Sequence, residues 1–307
     1  VTACWCSSPN KIAKAGSTLV SVRAPVGTLN RADQPYAIGR GLASLEAIGM
    51  DSDFLYYGLH RWRKAVQRLA QGTTFEAITT RQLKQLVIAL PEDIKEQRRI
   101  AAALKLADDA MAKAKAELDS TLTIKRTLLR DLFRYGVTQT SHLNHSKWIT
   151  CPAHWRIEKL RDFATVKSGF TMGRDLSRQE TITVPYVTVI NVQEGRFALD
   201  QISSIEIRVD ELDSHGLKFG DVLMTEGGDR DKLGRGGMWR DEVSPCSYQN
   251  HIFRVRLDRE IYLPSLFHHL IQTYQAKNYF FAHAKQTSNL CTINSRELRN
   301  WRVPIPP

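Results

Sequence analysis

Cysteine is scarce in this 307-residue sequence, and the five present (Cys4, Cys6, Cys151, Cys246, Cys291) form an odd, scattered set. No spacing suggests a disulfide framework, so reduced thiols in a cytoplasmic protein are the expectation. Cys4-x-Cys6 has no second ligand pair nearby, which argues against zinc. Long apolar runs are lacking too: none approaches the roughly eighteen residues of a bilayer span, and no membrane association is expected. There is no G-x-x-x-x-G-K-[ST] loop for nucleotide phosphates, and the C-terminal proline pairs lack the Asn or Asp that an adenine methyltransferase sets against the amino group. Acidic residues are in deficit, 32 against 43 Lys and Arg, for a formal charge of +11. That balance favours a polyanionic partner such as nucleic acid. The excess is concentrated early, with 11 basic and 5 acidic residues in 1–91 against 21 and 19 in 154–307.

What is present is organised around one long helical stretch, Pro91 to Gly136. Acidic Glu92, Asp93 and Glu96 stand at its front and Lys125, Arg126, Arg130 and Arg134 at its back, both suited to the helix macrodipole. Between them Ile100, Leu104, Ala107, Met111, Ala114, Leu118, Thr121, Lys125, Leu128 and Leu132 alternate four- and three-residue steps. This spacing keeps one seam toward a partner helix in a left-handed coiled coil. Such a helix is about 60 Å long at 1.5 Å per residue. Its apolar stripe is too narrow for a core helix, so a spacer that needs a second helix is expected, with packing against a neighbouring domain as the alternative.

The flanks of this helix repeat each other. "KAGSTLVSVRA" from Lys14 lies over "KFGDVLMTEGG" from Lys218, and Leu55 and Leu59 match Leu266 and Leu270. Ile78, Arg81, Leu83, Leu86 and Pro91 match Ile293, Arg296, Leu298, Trp301 and Pro306 at a constant offset of 215. The second copy has 64 residues, His154 to Leu217, ahead of its motif, where the first has 13. The first domain is therefore expected to lack roughly fifty residues of its front, and no second long helix follows Pro306. The expected order is a partial domain (1–91), the spacer helix (92–136), a polar linker (137–153) and a complete domain (154–307). The class is mixed α/β (α+β), with strands read at Val184–Val192, Asp221–Glu226 and Asn250–Leu257 and an amphipathic helix over 264–283.

A reader of DNA needs Arg, Lys, Asn, Gln, Ser and Thr on loops, because base edges and phosphates offer the matching donors and acceptors. "GGDRDKLGRGG" supplies Arg230, Lys232 and Arg235 on a loop whose glycines let backbone approach a phosphate. Tyr248, Gln249, Asn250 and His251 precede a strand, Lys167, Ser168, Thr171 and Arg174 follow one, and Gln286, Thr287, Ser288 and Asn289 follow the helix. The comparable positions in the first copy are Arg23, Arg40, Thr73 and Thr74. Structural roles compete at each: internal ion pairs for the Arg and Asp loop, loop-tying for the amides, helix capping for Thr73, Thr74, Thr287 and Ser288. Asp93-x-Lys95 imitates a nuclease carboxylate-x-Lys site, but that chemistry needs both residues on a strand, and here they open a helix.

Several stretches resemble the specificity subunit of type I restriction-modification systems: "EGGDRDKLGRG" (226–236), "YQNHIFRVR" (248–256), "VTVINVQEGRF" (187–197), "VSVRAPVG" (20–27), "IGRGLASL" (38–45) and "EQRRIAAAL" (96–104). The resemblance implies two target-recognition domains, the first incomplete here, each reading half of a split double-stranded DNA site and held apart by paired coiled-coil helices. It implies modification subunits that methylate adenine and ATP-driven restriction subunits docked on that scaffold. S-adenosylmethionine, ATP and Mg would then belong to those partners, with no cofactor, metal or catalytic residue in this chain. A second copy or another chain would supply the missing helix. The rival readings are a helix-mediated assembly module or decayed fragment without specific DNA binding, and a stand-alone nuclease using Asp93 and Lys95.

Overall fold

Lys14 and Lys218 lie 204 residues apart, and that offset reappears as matched backbone hydrogen bonds in the computed structural model, which describes residues 7–68, 77–229, 232–287 and 290–307. Gly16 donates to the Ala32 carbonyl as Gly220 does to Trp239, and Ser17 donates to Lys14 as Asp221 does to Lys218. Ile78 donates to Val22 as Ile293 does to Glu226. Gly16 (φ +81°) and Gly220 (φ +90°) both hold the left-handed conformation that this turn requires. The repeat is thus one backbone path used twice, in two compact units, Val1–Asp119 and Ser120–Pro307.

In the first unit β1 (Thr18–Ser21) is the centre of an antiparallel sheet, with β2 (Leu29–Arg31) on one side and β3 (Leu42–Leu45) on the other. Val20, Leu55 and Leu59 bury beneath it, so α1 (Ser52–Arg61) is held by its apolar face. Asp51 caps α1, its carboxylate accepting from Asp53 and Phe54 at 3.0 Å each. The short α2 (Thr80–Lys84) opens on a Thr79–Gln82 capping box, 215 residues before the corresponding Asn294 cap.

The long helix α3 runs Ile94–Tyr135, 42 residues. Asp93 caps it: its carboxylate accepts the Lys95 backbone N–H at 2.8 Å and its carbonyl accepts from Glu96 and Gln97. This leaves the Asp93 and Lys95 pair on a helix start, as expected, and without the strand geometry of a nuclease. Gln97 is buried in the first unit between the Asp51 amide and the Pro91 carbonyl. In the second unit Phe133 packs edge-on against Trp155. The seam between is open, from 37% exposed at Ile100 to 71% at Met111, and Ala107, Ala114 and Thr121 are exposed as well. Lys125 is exposed too, and its ammonium donates to Gln272 at 2.9 Å.

The second unit contains β4 (Arg156–Lys159), β5 (Ala164–Ser168), β6 (Thr181–Val187), β7 (Ser203–Arg208), β8 (Val222–Thr225), β9 (Gly236–Met238), β10 (Ser247–Tyr248) and β11 (Ile252–Leu257). These are followed by α4 (Pro264–Leu270), α5 (Tyr274–His283), α6 (Ser295–Asn300) and β12 (Arg302–Ile305). The main antiparallel sheet has the order β9–β8–β11–β5; β7–β6–β10 form a second sheet, and β12 pairs with β4. Val222, Met224, Phe253, Val255, Phe267, Phe280 and Trp301 fill the main core. Arg256 and Asp221 lock β11 to β8 through two 2.7 Å contacts, with Asp221 only 1% exposed. β8, β9 and β11 correspond to β1, β2 and β3. Among the described residues the first unit has no counterpart of β5 or β4, so β3 is an outer strand. Val87, in the position of Arg302, is 91% exposed.

Three sequence expectations change. The 264–283 stretch is two helices, because the Thr273 hydroxyl donates to the Leu270 carbonyl and accepts from Ala276, ending one helix and capping the next. The 137–153 segment is not a bare linker: Leu143–His145 pairs with Thr150–Pro152, Ile149 and Cys151 are buried, and Gln275 holds both polar backbone groups of Thr150. The strand read through Val192 stops at Val187, where a tight loop begins. Cys151, Cys246 and Cys291 are free and buried, while Cys4 and Cys6 lie outside the described residues.

Candidate nucleic-acid interface

One end of the main sheet of the second unit gathers most of the polar candidates. The C-terminal ends of β5 and β8 and the N-terminal ends of β9 and β11 lie side by side there, as the pairs Phe253–Ser168, Thr225–Ile252 and Met224–Gly236 require. β6 joins them, because Val187 pairs in parallel with Tyr248 and its carbonyl accepts the Gln249 N–H at 2.9 Å. The 285–286 and 291–292 strands add to it through Gly227–Thr292. Segments up to more than a hundred residues apart in sequence, 167–171, 187–191, 226–229 with 232–235, 248–251, and 285–287 with 290–292, thus share one end.

Close approach fixes this junction. Gly169 lies against the Tyr248 carbonyl so tightly that a Cβ would come within 1.9 Å of it. Phe170 then donates its N–H to the Tyr248 carbonyl and accepts from the Asn250 N–H, both at 2.9 Å. Tyr248 itself is enclosed, with its phenol near the Lys167 carbonyl at 3.4 Å and burial pushing its pKa up to about 12. This corrects its reading as a ring offered to DNA. Gln249 is likewise committed inward, its Oε1 accepting the Val189 N–H at 3.0 Å. Arg235 reaches the other side of the same residue, Nη2 donating to the Val189 carbonyl at 3.3 Å, while its buried Nε has no hydrogen-bond partner. Two expected DNA contacts therefore brace the 188–191 loop.

The remaining candidates divide by partner. Lys167, Ser168 and Thr171 are placed at the tip of β5, with Lys167 and Thr171 exposed, and Asn250 is half-buried beside exposed His251, whose ring meets Glu226 at 2.9 Å. Lys232 pairs with Asp229, whose carboxyl it holds below the ordinary range. Thr287 donates both its N–H and its hydroxyl to the Leu290 carbonyl, at 2.9 and 3.2 Å. Arg174 is committed within the protein: it grips Glu211 at 2.7 and 3.0 Å and lies over the Phe170 ring, holding the Glu211 carboxyl at about 2. Arg230, Ser288, Asn289, Thr73 and Thr74 lie outside the described residues. In the first unit Arg23, bridged to Ala77, and Arg40 lie at the corresponding end of their own sheet.

Sequence reasoning passed over three residues here. Lys285 is exposed beside Gln286. Asn191 is 3% exposed, yet both ends of its amide are saturated: Oδ1 accepts from the Thr188 N–H and hydroxyl at 2.9 and 2.7 Å, and Nδ2 donates to Ala198 and Gln201 at 2.9 and 2.8 Å. Ile190, between Asn191 and the braced Val189, is 73% exposed. The available signal was an Asn interrupting the apolar run "VPYVTVINV", the usual mark of a side chain competing for the backbone.

Residues 7–120 match the family model of the type I restriction modification DNA specificity domain. A type I restriction enzyme specificity subunit from Methanocaldococcus jannaschii is 33% identical over 127 residues, 41% of this chain and 30% of the relative. A type I specificity subunit from Mycoplasma pneumoniae is 36% identical over 85 residues, 27% and 23% of the two chains. The aligned stretches thus span less than a third of either relative. The crystal structure of a type I restriction-modification S subunit from M. genitalium has the same mixed α+β fold, with TM-score 0.57 at 18% identity, over 95% of this chain and 72% of that one. No described helix is long and apolar enough to cross a membrane.

Proposed function

We propose that this chain, whose residues 7–120 match the type I restriction modification DNA specificity domain model, is a non-catalytic subunit that recognises double-stranded DNA sequence within a restriction-modification complex. The observation that carries the proposal is the convergence, at one end of the second unit's main sheet, of loops from five separated segments, three of which bear Lys167 and Ser168, Asn250 and His251, and Lys285. Exposed cations there hold phosphates, and the polar side chains between them face base edges. The second unit reads one half-site of a split target, and the first unit, through Arg23 and Arg40, contacts the other.

The open seam of α3 is the docking surface of this reading. It pairs with a second long helix, from another copy or another chain, and the resulting scaffold carries the modification and restriction subunits. Those partners hold S-adenosylmethionine, Mg and ATP. The same seam favours the second reading, an assembly module without specific DNA binding.

The two are separated by measuring binding of the intact chain to labelled duplex across a salt series. Lys167→Ala and Lys285→Ala are each expected to lower the slope of log K against log salt by about one. Unchanged slopes in both variants would contradict the assigned interface. For the helix, Leu104→Asp with Leu118→Asp should abolish co-purification with modification subunits; intact assembly would remove the docking role.

A further inference from the structure

We infer that Ile190 is an apolar base-reading residue, placed to touch the 5-methyl group of thymine in the major groove; this rests on the proposed DNA interface. An isolated exposed isoleucine is ordinary on a protein surface. Ile190 differs in how it is held. Val189 on one side is fixed through both backbone polar groups, by Gln249 and Arg235. Asn191 on the other side is buried and bonded four times. The carbonyl of Ile190 itself accepts from Gln193 at 2.7 Å. Side chains from three segments thus immobilise a loop whose tip presents one branched aliphatic group, 73% exposed, to solvent.

Such bracing removes in advance the ordering cost that a flexible tip would meet on binding. The group presented has no donor or acceptor, so it cannot read the polar marks of a base edge. The one apolar mark in the major groove is the thymine methyl. Met172 and Leu290 are exposed on neighbouring loops as well, at 60% and 53%, and Ile190 is set apart by the three-sided brace. Loop 188–191 belongs to the 154–217 stretch ahead of the second copy's motif, so this contact lies in the second unit.

The test uses the intact chain and a duplex recovered by it from a randomised pool, with each thymine replaced singly by deoxyuridine, which removes only the methyl. One replacement should weaken binding by about fourfold, the equivalent of one buried methyl group. Ile190→Ala should lose that sensitivity while keeping the salt slope, and Ile190→Val should fall between. Because the side chain is exposed, amide protection of the second unit should not change. An Ile190→Ala chain with an unaltered deoxyuridine profile, or a recovered motif with no methyl-sensitive thymine, would overturn the assignment. A chain that recovers no motif would overturn the interface itself, and this contact with it.

Discussion

Asn191→Ala probes the loop on which the proposed DNA recognition rests. The substitution removes four hydrogen bonds and strands the Thr188 N–H and the Ala198 and Gln201 carbonyls. At a net of about 1 kcal/mol per bond the loss is about 4 kcal/mol, and it would be larger if the stranded groups stayed dry. These groups are partly accessible, so opening of the loop to water caps the cost at about 3 to 4 kcal/mol. Gln193→Ala is the internal control, since it removes a single exposed bond to Ile190 and should cost about 0.5 to 1 kcal/mol. Amide exchange on the intact chain separates this local event from unfolding of either unit, which a single melting curve would merge. The Thr188 and Val189 amides should lose protection in Asn191→Ala, and sequence preference should fall with them. Unchanged protection of both amides would refute the claim that Asn191 organises the loop.

Arg256→Met leaves Asp221 charged and buried, and should cost about 3 kcal/mol in denaturant unfolding of the second unit; adding Asp221→Asn should restore much of it. Gly169→Ala should destabilise the 168–170 and 248–250 junction and abolish DNA selectivity, because its methyl meets the Tyr248 carbonyl, read as lost protection of the Phe170 amide. Acid should act in two windows. Burial holds the His268 ring, which accepts from the Met238 N–H, at about 4, below the ordinary 6.5. The unfolded chain takes up that proton first, so this contribution is complete above about pH 6.5 and lost as pH falls toward 4. Glu211, held at about 2 by Arg174, contributes above pH 4.5 and is lost on falling to 2. Thermal melts of H268Q should lack the upper slope, and melts of E211Q the lower.

Local and repeated features were legible in the sequence. The ends of α3 could be read because Asp93 and Gly136 act within one turn of it, and the repeat because Gly16 and Gly220 need the same backbone turn. Alternation located the β8 and β11 strands to within two residues. What escaped was set by distant partners. Whether Gln249 faces DNA or Val189 depends on a contact across 60 residues of chain, and the same holds for Arg235 across to Val189. Arg174 gave no sign that Glu211 would hold it. The break at Thr273 and the Thr150–Gln275 contacts likewise arise from tertiary packing that overrides helical periodicity and linker composition. The candidate end was therefore recognisable as a set of loops, while the division of labour between bracing and exposed residues was not.

Recovery of bound sequences from a randomised duplex pool by the intact chain, at near-physiological salt, tests the central claim most directly. A defined motif protected by the second unit, and lost in the Lys167→Ala, Lys285→Ala double variant, is the predicted result. A pool that stays random while α3 still recruits its partner subunits would contradict DNA reading and leave the assembly role alone.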